Sequence, residues 1–366
     1  MASIADSCTV PLIILMALKL QLLLIVRAEP QVPCHFVFGD SLVDNGNNNF
    51  LYTQAKVNYP PYGTNFPGGN ATGRFSNGEN LSDATGKLLG FANYTPPYVT
   101  ARGKEILQGV NYGSGGAGIR VESGQNLGGR ISLDQQLRNH GFTVLRLVAL
   151  QRNISHTKEY LGKCIYTVAM GSNDYNNNYF MPHHYPTSKM YTPDEYADVL
   201  IQQYSQQLES LYDAGARKVA VFGLGLLGCT PAQIYSFGYK NASGCVDKVN
   251  DAVALFNERM KPLVDGLNTN LTHAKFIYIN TTHIAKEYAG SGGFTVLSTP
   301  CCVASLFFGK GQCEPNLHPC SNPQSYIFWD DIHPTEKANK ATAERAYMAA
   351  SPLDSYPMDI RTLALQ

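Results

Sequence analysis

Five short runs of apolar, often β-branched residues divide this chain, and four of them lead directly into a glycine. The runs cover residues 34–38, 109–112, 164–170, 218–222 and 276–280. Runs without alternating polar residues are typical of strands that are buried on both faces. The chain is therefore predicted to contain a central parallel sheet of five strands with helices on both sides.

The segments between the runs carry the apolar spacing of helices. Apolar residues recur at helical spacing through 133–150, and segment 193–214 ends before Gly215, a natural helix C-cap. One further segment has a single apolar stripe that we assign to the core, made of Val253, Phe256, Met260, Leu263, Val264 and Leu267. Strands that alternate with helices of this length predict right-handed βαβ units in one doubly wound sheet. No repeat or break in composition interrupts the pattern, so residues 29–366 are predicted to form a single domain.

The N-terminus predicts export from the cell. Residues 10–26 are mostly apolar but include Lys19 and Gln21, and the small-residue pattern Val26-Arg27-Ala28 follows. This arrangement is typical of a secretory signal peptide, which we place at 1–28 and expect to be cleaved. An uncleaved anchor is disfavoured because the run is shorter than the ~20 residues of a spanning helix and carries a lysine.

Cysteines and glycosylation sequons agree with secretion. Eight cysteines lie beyond the signal peptide, and an even number favours disulfides formed in an oxidising compartment. No CxxC pair or HExxH motif supports a zinc site. N-x-[ST] sequons give seven candidate glycosylation sites, at Asn70, Asn80, Asn93, Asn153, Asn241, Asn270 and Asn280.

Charge and hydrophobicity exclude two broad classes of protein. The 28 basic and 28 acidic residues balance, so the chain lacks the positive charge of a nucleic-acid binder. With 44% hydrophobic and 15% charged residues it can bury a large core, which excludes a disordered chain.

Polar residues follow the first three predicted strands. They are Gly39-Asp40-Ser41, the glycine-rich segment 113–118, and Gly171-Ser172-Asn173-Asp174. Ligands of open α/β sheets bind at the carboxyl ends of the strands, so these three loops are expected to converge on one site.

Ser41 is the candidate nucleophile. It comes directly after a buried strand, where the N-terminus of a following helix would favour developing negative charge. Taken alone, such a serine is more often a helix N-cap, and no serine of this chain lies in a GxSxG nucleophile elbow. The catalytic interpretation depends on its partners.

His333 is the candidate general base, with Asp330 as its orienting carboxylate. Among the nine histidines, it alone has a carboxylate three residues upstream and a proline behind it. A D-x-x-H-P turn can aim both side chains the same way, so that the carboxylate holds the imidazole and stabilises its cation.

Gly115 and Asn173 are the candidate oxyanion-hole donors. A glycine permits close approach of its N–H, and an asparagine side chain supplies a second donor for a tetrahedral oxyanion. Each residue alone fits an ordinary turn. The spacing of Gly113, Gly115 and Gly118 also matches a dinucleotide fingerprint, but it follows the second strand and leads into a polar loop rather than a helix.

The chain resembles the plant GDSL esterase/lipases of the SGNH hydrolase superfamily. The resemblance extends over nearly all of the chain beyond the signal peptide. Its blocks are FGDSLVDNGNN at 38–48, GRFSNG at 73–78, NYGSGGAGI at 111–119, GSNDYNN at 171–177, GCTP at 228–231 and FWDDIHPTEKAN at 328–339.

This resemblance implies a fold, a set of catalytic residues and a location. The fold would be a flavodoxin-like α/β/α sandwich, the SGNH hydrolase fold. Ser41 would be the nucleophile, with His333 and Asp330 completing the triad, and Gly115, Asn173 and the Ser41 N–H would bind the oxyanion. The chain would be a secreted serine esterase of the plant apoplast or cell wall, acting on small-molecule or polymer-linked acyl esters of lipid or cell-wall origin, without a cofactor, a nucleic-acid partner or a membrane anchor after cleavage. Acyl transfer on the same triad and a catalytically silent binding or defence-associated protein remain alternatives.

The disulfide pairing is predicted only in part. Cys229 with Cys245 would close a short loop between a strand and a helix. The pairs Cys302–Cys313 and Cys301–Cys320 are further hypotheses. Cys34 and Cys164, on strand runs, are expected to be free and buried.

Overall fold

A five-stranded, mainly parallel sheet forms the centre of the fold. The computed structural model describes residues 29–238, 244–291, 293–304 and 311–366, so the predicted signal peptide 1–28 and the sequon at Asn241 lie outside the described residues. The strands are β1 His35–Gly39, β2 Ile165–Ala169, β3 Lys218–Phe222, β4 Lys275–Ile279 and β5 Ser355–Tyr356. They lie side by side in the order β1-β2-β3-β4-β5; β1 to β4 are parallel and β5 is antiparallel to β4.

The predicted second strand, 109–112, is an extended segment beside β1 that pairs with it only at a single bridge. The N–H of Val37 donates to the carbonyl of Val110 at 3.1 Å, and the N–H of Tyr112 donates to the carbonyl of Val37 at 2.7 Å. On its other side, Asn111 bonds to the loop residues Pro96 and Tyr98, so no further strand is added there. With this segment included, the order matches the 2-1-3-4-5 order of flavodoxin-like sheets.

In the described part of the chain, ten α-helices of five or more residues surround the sheet. They are α1 Leu81–Leu88, α2 Leu133–Gln151, α3 Ile154–Lys163, α4 Pro193–Asp213, α5 Pro231–Phe237, α6 Asp247–Glu258, α7 Met260–Asn270, α8 Thr281–Gly290, α9 Glu336–Tyr347 and α10 Ile360–Ala364. Shorter helical turns lie at Ser172–Asp174 and Thr187–Met190.

Successive strand residues face opposite sides of the sheet and build two cores. Phe36 and Phe38 of β1 belong to a cluster with buried residues of α2, α3, α4, α6 and α7. Val37, between them, packs on the other side with residues of α1, α8, α9 and α10. This alternation, expected of a pleated strand, produces the three-layer α/β/α arrangement.

The predicted helices are present, with one interruption. Segments 133–150 and 193–214 match α2 and α4 to within a residue. The apolar stripe is buried as predicted, but it spans two helices, α6 and α7, which meet at Arg259. Pro262 explains the break, because it has no N–H to donate to the carbonyl of Glu258, four residues earlier.

The described residues contain four disulfides, one more than predicted. Cys229–Cys245, Cys301–Cys320 and Cys302–Cys313 pair as expected. The prediction that Cys34 and Cys164 are free is wrong, because they form a disulfide with a Cα–Cα distance of 4.8 Å. Each cysteine directly precedes its strand, and the register that pairs His35 of β1 with Ile165 of β2 brings both together.

The sequons differ in exposure. Asn70, Asn93, Asn153 and Asn270 are exposed, and Asn280 is half-buried. Asn80 is buried, and its side-chain nitrogen donates to the Asp44 carbonyl and to Asn45 Oδ1. A glycan on that nitrogen is incompatible with this fold, which corrects the prediction at Asn80.

Within the described part of the chain, no helix combines the length and the apolar composition needed to cross a membrane.

Candidate active site

Ser41, His333 and Asp330 form a continuous hydrogen-bonded triad. Ser41 Oγ lies 2.8 Å from His333 Nε2, although the two residues are 292 positions apart in the chain. His333 Nδ1 lies 2.8 Å from Asp330 Oδ2 and 3.0 Å from Oδ1. Asp330 and His333 are buried, while Ser41 is half-buried. In this order of contacts, the imidazole can take the serine proton and the carboxylate can stabilise the resulting cation.

A tight turn after β1 presents Ser41. Asp40 Oδ1 accepts the N–H of Leu42 at 2.9 Å, and the Asp40 carbonyl accepts the N–H of Val43 at 3.3 Å. Gly39 lets this turn approach β2, since a Cβ there would lie 2.3 Å from the Ala169 carbonyl oxygen. The predicted helix N-terminus behind Ser41 is absent, because these local hydrogen bonds close a turn instead of a helix.

The D-x-x-H-P segment forms the predicted turn. Asp330 Oδ1 accepts the backbone N–H groups of Ile332 at 2.9 Å and His333 at 2.6 Å. The Trp329 N–H donates to the His333 carbonyl at 2.8 Å, which closes the turn from the other side. The carboxylate and the imidazole therefore belong to one locally fixed unit.

Two aromatic side chains that sequence reasoning missed complete the surroundings of the triad. The Tyr62 hydroxyl donates to Asp330 Oδ2 at 2.6 Å. The ring of Phe75 packs on that of His333, with 4.7 Å between the ring centroids. Phe75 lies in the quoted GRFSNG block, but neither residue is near the triad in sequence, so no local pattern pointed to these contacts.

Asn173 follows β2 on the helical turn Ser172–Asp174, and Ser41 follows β1. Both residues line the same cavity. The Nδ2 of Asn173 donates to the Ala117 carbonyl at 2.9 Å, and the Oδ1 of Asn173 accepts from Asn177 Nδ2 at 2.6 Å. These contacts fix the orientation of the amide and leave the second Nδ2 hydrogen for a ligand.

Gly115 reaches the triad region, but its N–H has another acceptor in this structure. It donates to Asp44 Oδ2 at 3.0 Å, and Asp44 also accepts the N–H groups of Gly46 and Asn47, both at 2.7 Å. A Cβ at Gly115 would lie 2.6 Å from the Phe75 ring, so only glycine permits this packing. The backbone N–H of Ser41, by contrast, donates to no acceptor among the described residues.

Burial raises the proton affinity of two carboxyl groups at the site, those of Asp40 and Asp44. Burial raises the pKa of Asp40 to about 7, although its hydrogen bond from Leu42 acts in the opposite direction. Burial also raises the pKa of Asp44 to about 6, against the N–H groups that it accepts. Desolvation disfavours the charged form of an acid, which is why both shifts are upward.

A cavity of about 550 Å³ opens beside Ser41 and His333. Its walls are mainly apolar and come from the ends of β2 and β3, from α8, and from the segment before the catalytic turn. Apolar side chains lining it include Met170, Phe222, Leu224, Leu226, Leu227, Leu297, Ile327, Phe328 and Ile332. The volume lies in the range of small-molecule sites.

Comparison with known proteins decides the family. The sequence profile described as GDSL-like lipase/acylhydrolase matches residues 36–346. The chain belongs to this family. It is 49% identical over 341 residues to the GDSL esterase/lipase At1g29670 of Arabidopsis thaliana, covering 92% of this chain and 93% of the relative. A second Arabidopsis relative, GDSL esterase/lipase At4g18970, is 44% identical over 93% of this chain and 94% of its own length.

Membership of the GDSL family makes this chain a carboxylic ester hydrolase of the serine type, with acyl esters as its substrates. The dinucleotide alternative has no support in the glycine-rich loop. There, the N–H groups of Ile119 and Arg120, directly after the last glycine, donate to the Asp174 carboxylate at 2.8 and 2.9 Å and are not free to bind a phosphate. Among the described residues, no cluster of three or more His, Cys, Asp or Glu side chains could hold a metal ion.

Proposed function

We propose that this chain is a secreted, single-domain GDSL hydrolase that cleaves acyl esters through a covalent acyl-enzyme on Ser41. The observation that carries the proposal is the unbroken chain of contacts from Ser41 Oγ through His333 to Asp330, with distances of 2.8 Å on both sides of the imidazole. Secretion is supported by four disulfides, by exposed sequons and by the signal-like N-terminal sequence.

The proposed reaction has two halves. In the first, His333 Nε2 takes the Ser41 proton while Oγ attacks the ester carbonyl, and the imidazolium then protonates the departing alcohol. In the second, His333 activates a water, which attacks the acyl-serine and releases the carboxylic acid. Asp330 keeps its charge throughout and stabilises the imidazolium.

The oxyanion of both tetrahedral intermediates needs preorganised donors. We assign this role first to the Ser41 N–H and the Asn173 side chain, which have hydrogens available at the cavity. For Gly115 to act as an oxyanion donor as well, its N–H would have to turn from Asp44 to the substrate. In the present structure, Gly115 supports the site because its lack of a side chain allows Phe75 to pack on His333.

The apolar cavity favours a fatty acyl chain over acetate as the acyl group. Burying one methylene stabilises a complex by about 0.8 kcal/mol, which corresponds to about a fourfold gain in kcat/KM if the gain is expressed in the transition state. The gain should continue only until the cavity of about 550 Å³ is filled.

The test is a series of p-nitrophenyl esters from acetate to palmitate, assayed with the secreted protein and its Ser41→Ala variant. We expect kcat/KM to rise over the first several methylenes and then to level off, and the variant to be inactive on every ester. A rate independent of acyl length would contradict the acyl assignment, whereas a Ser41→Ala variant with wild-type turnover would contradict the triad.

A further inference from the structure

The catalytic carboxylate has a donor that belongs to neither the triad nor its turn. Asp330 Oδ1 is held by the N–H groups of Ile332 and His333, within three residues of the carboxylate. Asp330 Oδ2, which faces His333 Nδ1 at 2.8 Å, also accepts the Tyr62 hydroxyl at 2.6 Å. The oxygen that serves the imidazole is therefore positioned by a residue 268 positions away.

The Tyr62 hydroxyl is itself oriented. It accepts the backbone N–H of Cys313 at 3.0 Å, which occupies a lone pair and leaves the hydroxyl hydrogen for Asp330. Cys313 is tied by its disulfide to Cys302, whose N–H donates to the carbonyl of Trp329. Trp329 directly precedes Asp330, so the hydroxyl and the carboxylate are fixed to the same structural unit.

The surroundings of Tyr62 keep it a neutral donor. Its side chain is 1% exposed and packs edge-on against the rings of Tyr59 and Trp329. Burial, reinforced by the nearby Asp330 charge, raises the pKa of Tyr62 well above its ordinary value. The phenol therefore keeps its proton, and a neutral hydroxyl that donates to a buried carboxylate forms a strong, charge-assisted hydrogen bond.

We propose that Tyr62 is a positioning residue of this hydrolase, acting through Asp330 to hold the imidazole of His333 toward Ser41. The inference rests on the proposed triad. Tyr62 does not touch the reacting atoms, so its loss should slow acylation without weakening substrate binding. The loss of Tyr62 should also strengthen the attraction between Asp330 and the imidazolium, because the hydroxyl no longer stabilises part of the negative charge of the carboxylate.

The test compares Tyr62→Phe with wild type and with Tyr59→Phe. Tyr59 lies three residues away, and its hydroxyl donates to the Cys313 carbonyl at 3.1 Å without contacting the triad. For p-nitrophenyl butyrate, we expect Tyr62→Phe to lower kcat at least tenfold with KM within twofold, and to move the acid limb of the kcat/KM profile to higher pH. Tyr59→Phe should match wild type in both measurements.

Two outcomes would overturn the inference: a Tyr62→Phe enzyme with wild-type kcat and pH profile, or a loss of rate without any shift of the acid limb, which a purely structural role would give. Thermal unfolding of each variant separates loss of fold from loss of positioning. Failure of the triad itself is recognised independently, because wild type would then not react with a fluorophosphonate.

Discussion

At the scale of single residues, the buried carboxylates of the site differ in how their charge is compensated. Asp330 accepts two backbone N–H groups, the imidazole and the Tyr62 hydroxyl. Asp44 accepts three backbone N–H groups, and burial still raises its pKa to about 6. Both carboxylates are therefore held by several donors, but only Asp330 contacts the imidazole of His333.

An Asn173→Ala variant tests whether Asn173 is an oxyanion-hole donor. Replacing it with alanine removes the side-chain donor, and loss of one such donor typically costs about 10²–10³ in kcat. We expect Asn173→Ala to lose at least about 100-fold in kcat on p-nitrophenyl butyrate, with a smaller change in KM and an unchanged fold by circular dichroism. A decrease below threefold would exclude Asn173 as an oxyanion donor.

The raised pKa of Asp40 predicts that the stability of the wild-type fold depends on pH. Its folded pKa of about 7 exceeds the value of about 3.9 in an unfolded chain, so the folded state binds an extra proton between these values. Stability therefore declines as pH rises from about 4 to about 7. Asn at this position keeps the acceptor for Leu42 but does not titrate.

We accordingly expect the melting temperature of Asp40→Asn, relative to wild type, to be higher at pH 8 than at pH 5. The buried histidines His35 and His140 titrate alike in both proteins and cancel in this comparison. Equal differences at the two pH values would show that Asp40 is ionised at both.

At the scale of elements, the first strand is fastened to the second by a disulfide as well as by hydrogen bonds. Cys34–Cys164 spans 130 residues, whereas Cys229–Cys245 spans 16. Because the entropy of the unfolded chain falls more when a longer loop is closed, the first disulfide should stabilise the fold more, by about 2 kcal/mol in the chain-entropy model.

Paired Cys→Ala substitutions measure this difference. Unfolding in guanidinium chloride should show a larger loss of unfolding free energy for the Cys34/Cys164 variant than for the Cys229/Cys245 variant. A larger loss for the short loop would contradict the view that β1 and β2 depend on this link.

At the scale of the whole molecule, the sequence predicted the elements that depend on local patterns. Four of the five apolar runs are strands of the sheet, because continuous apolar residues report burial on both faces. The antiparallel β5 escaped prediction because two residues, Ser355–Tyr356, carry no periodicity. Segment 109–112 was predicted as a full strand because composition does not reveal that its outer side pairs with a loop.

The residues of the site differ in the same way: those set by local sequence patterns were predictable, and those set by contacts between distant segments were not. The contacts among Ser41, His333 and Asp330 were predictable because Ser41 follows a strand and the Asp330–His333 spacing forms a local turn. Tyr62 and the Cys34–Cys164 disulfide were not, since both depend on contacts between distant segments. The occupied N–H of Gly115 is also a tertiary feature, because its acceptor Asp44 lies 71 residues earlier.

The proposed mechanism requires Ser41 to be the nucleophile of a folded triad. The most direct measurement is the reaction of the intact protein with a fluorophosphonate, followed by mass spectrometry of its peptides. We expect one adduct, on the peptide that contains Ser41, with none in Ser41→Ala and much slower formation in His333→Ala. Labelling of Ser41→Ala at the wild-type rate, or an adduct on another serine, would contradict it.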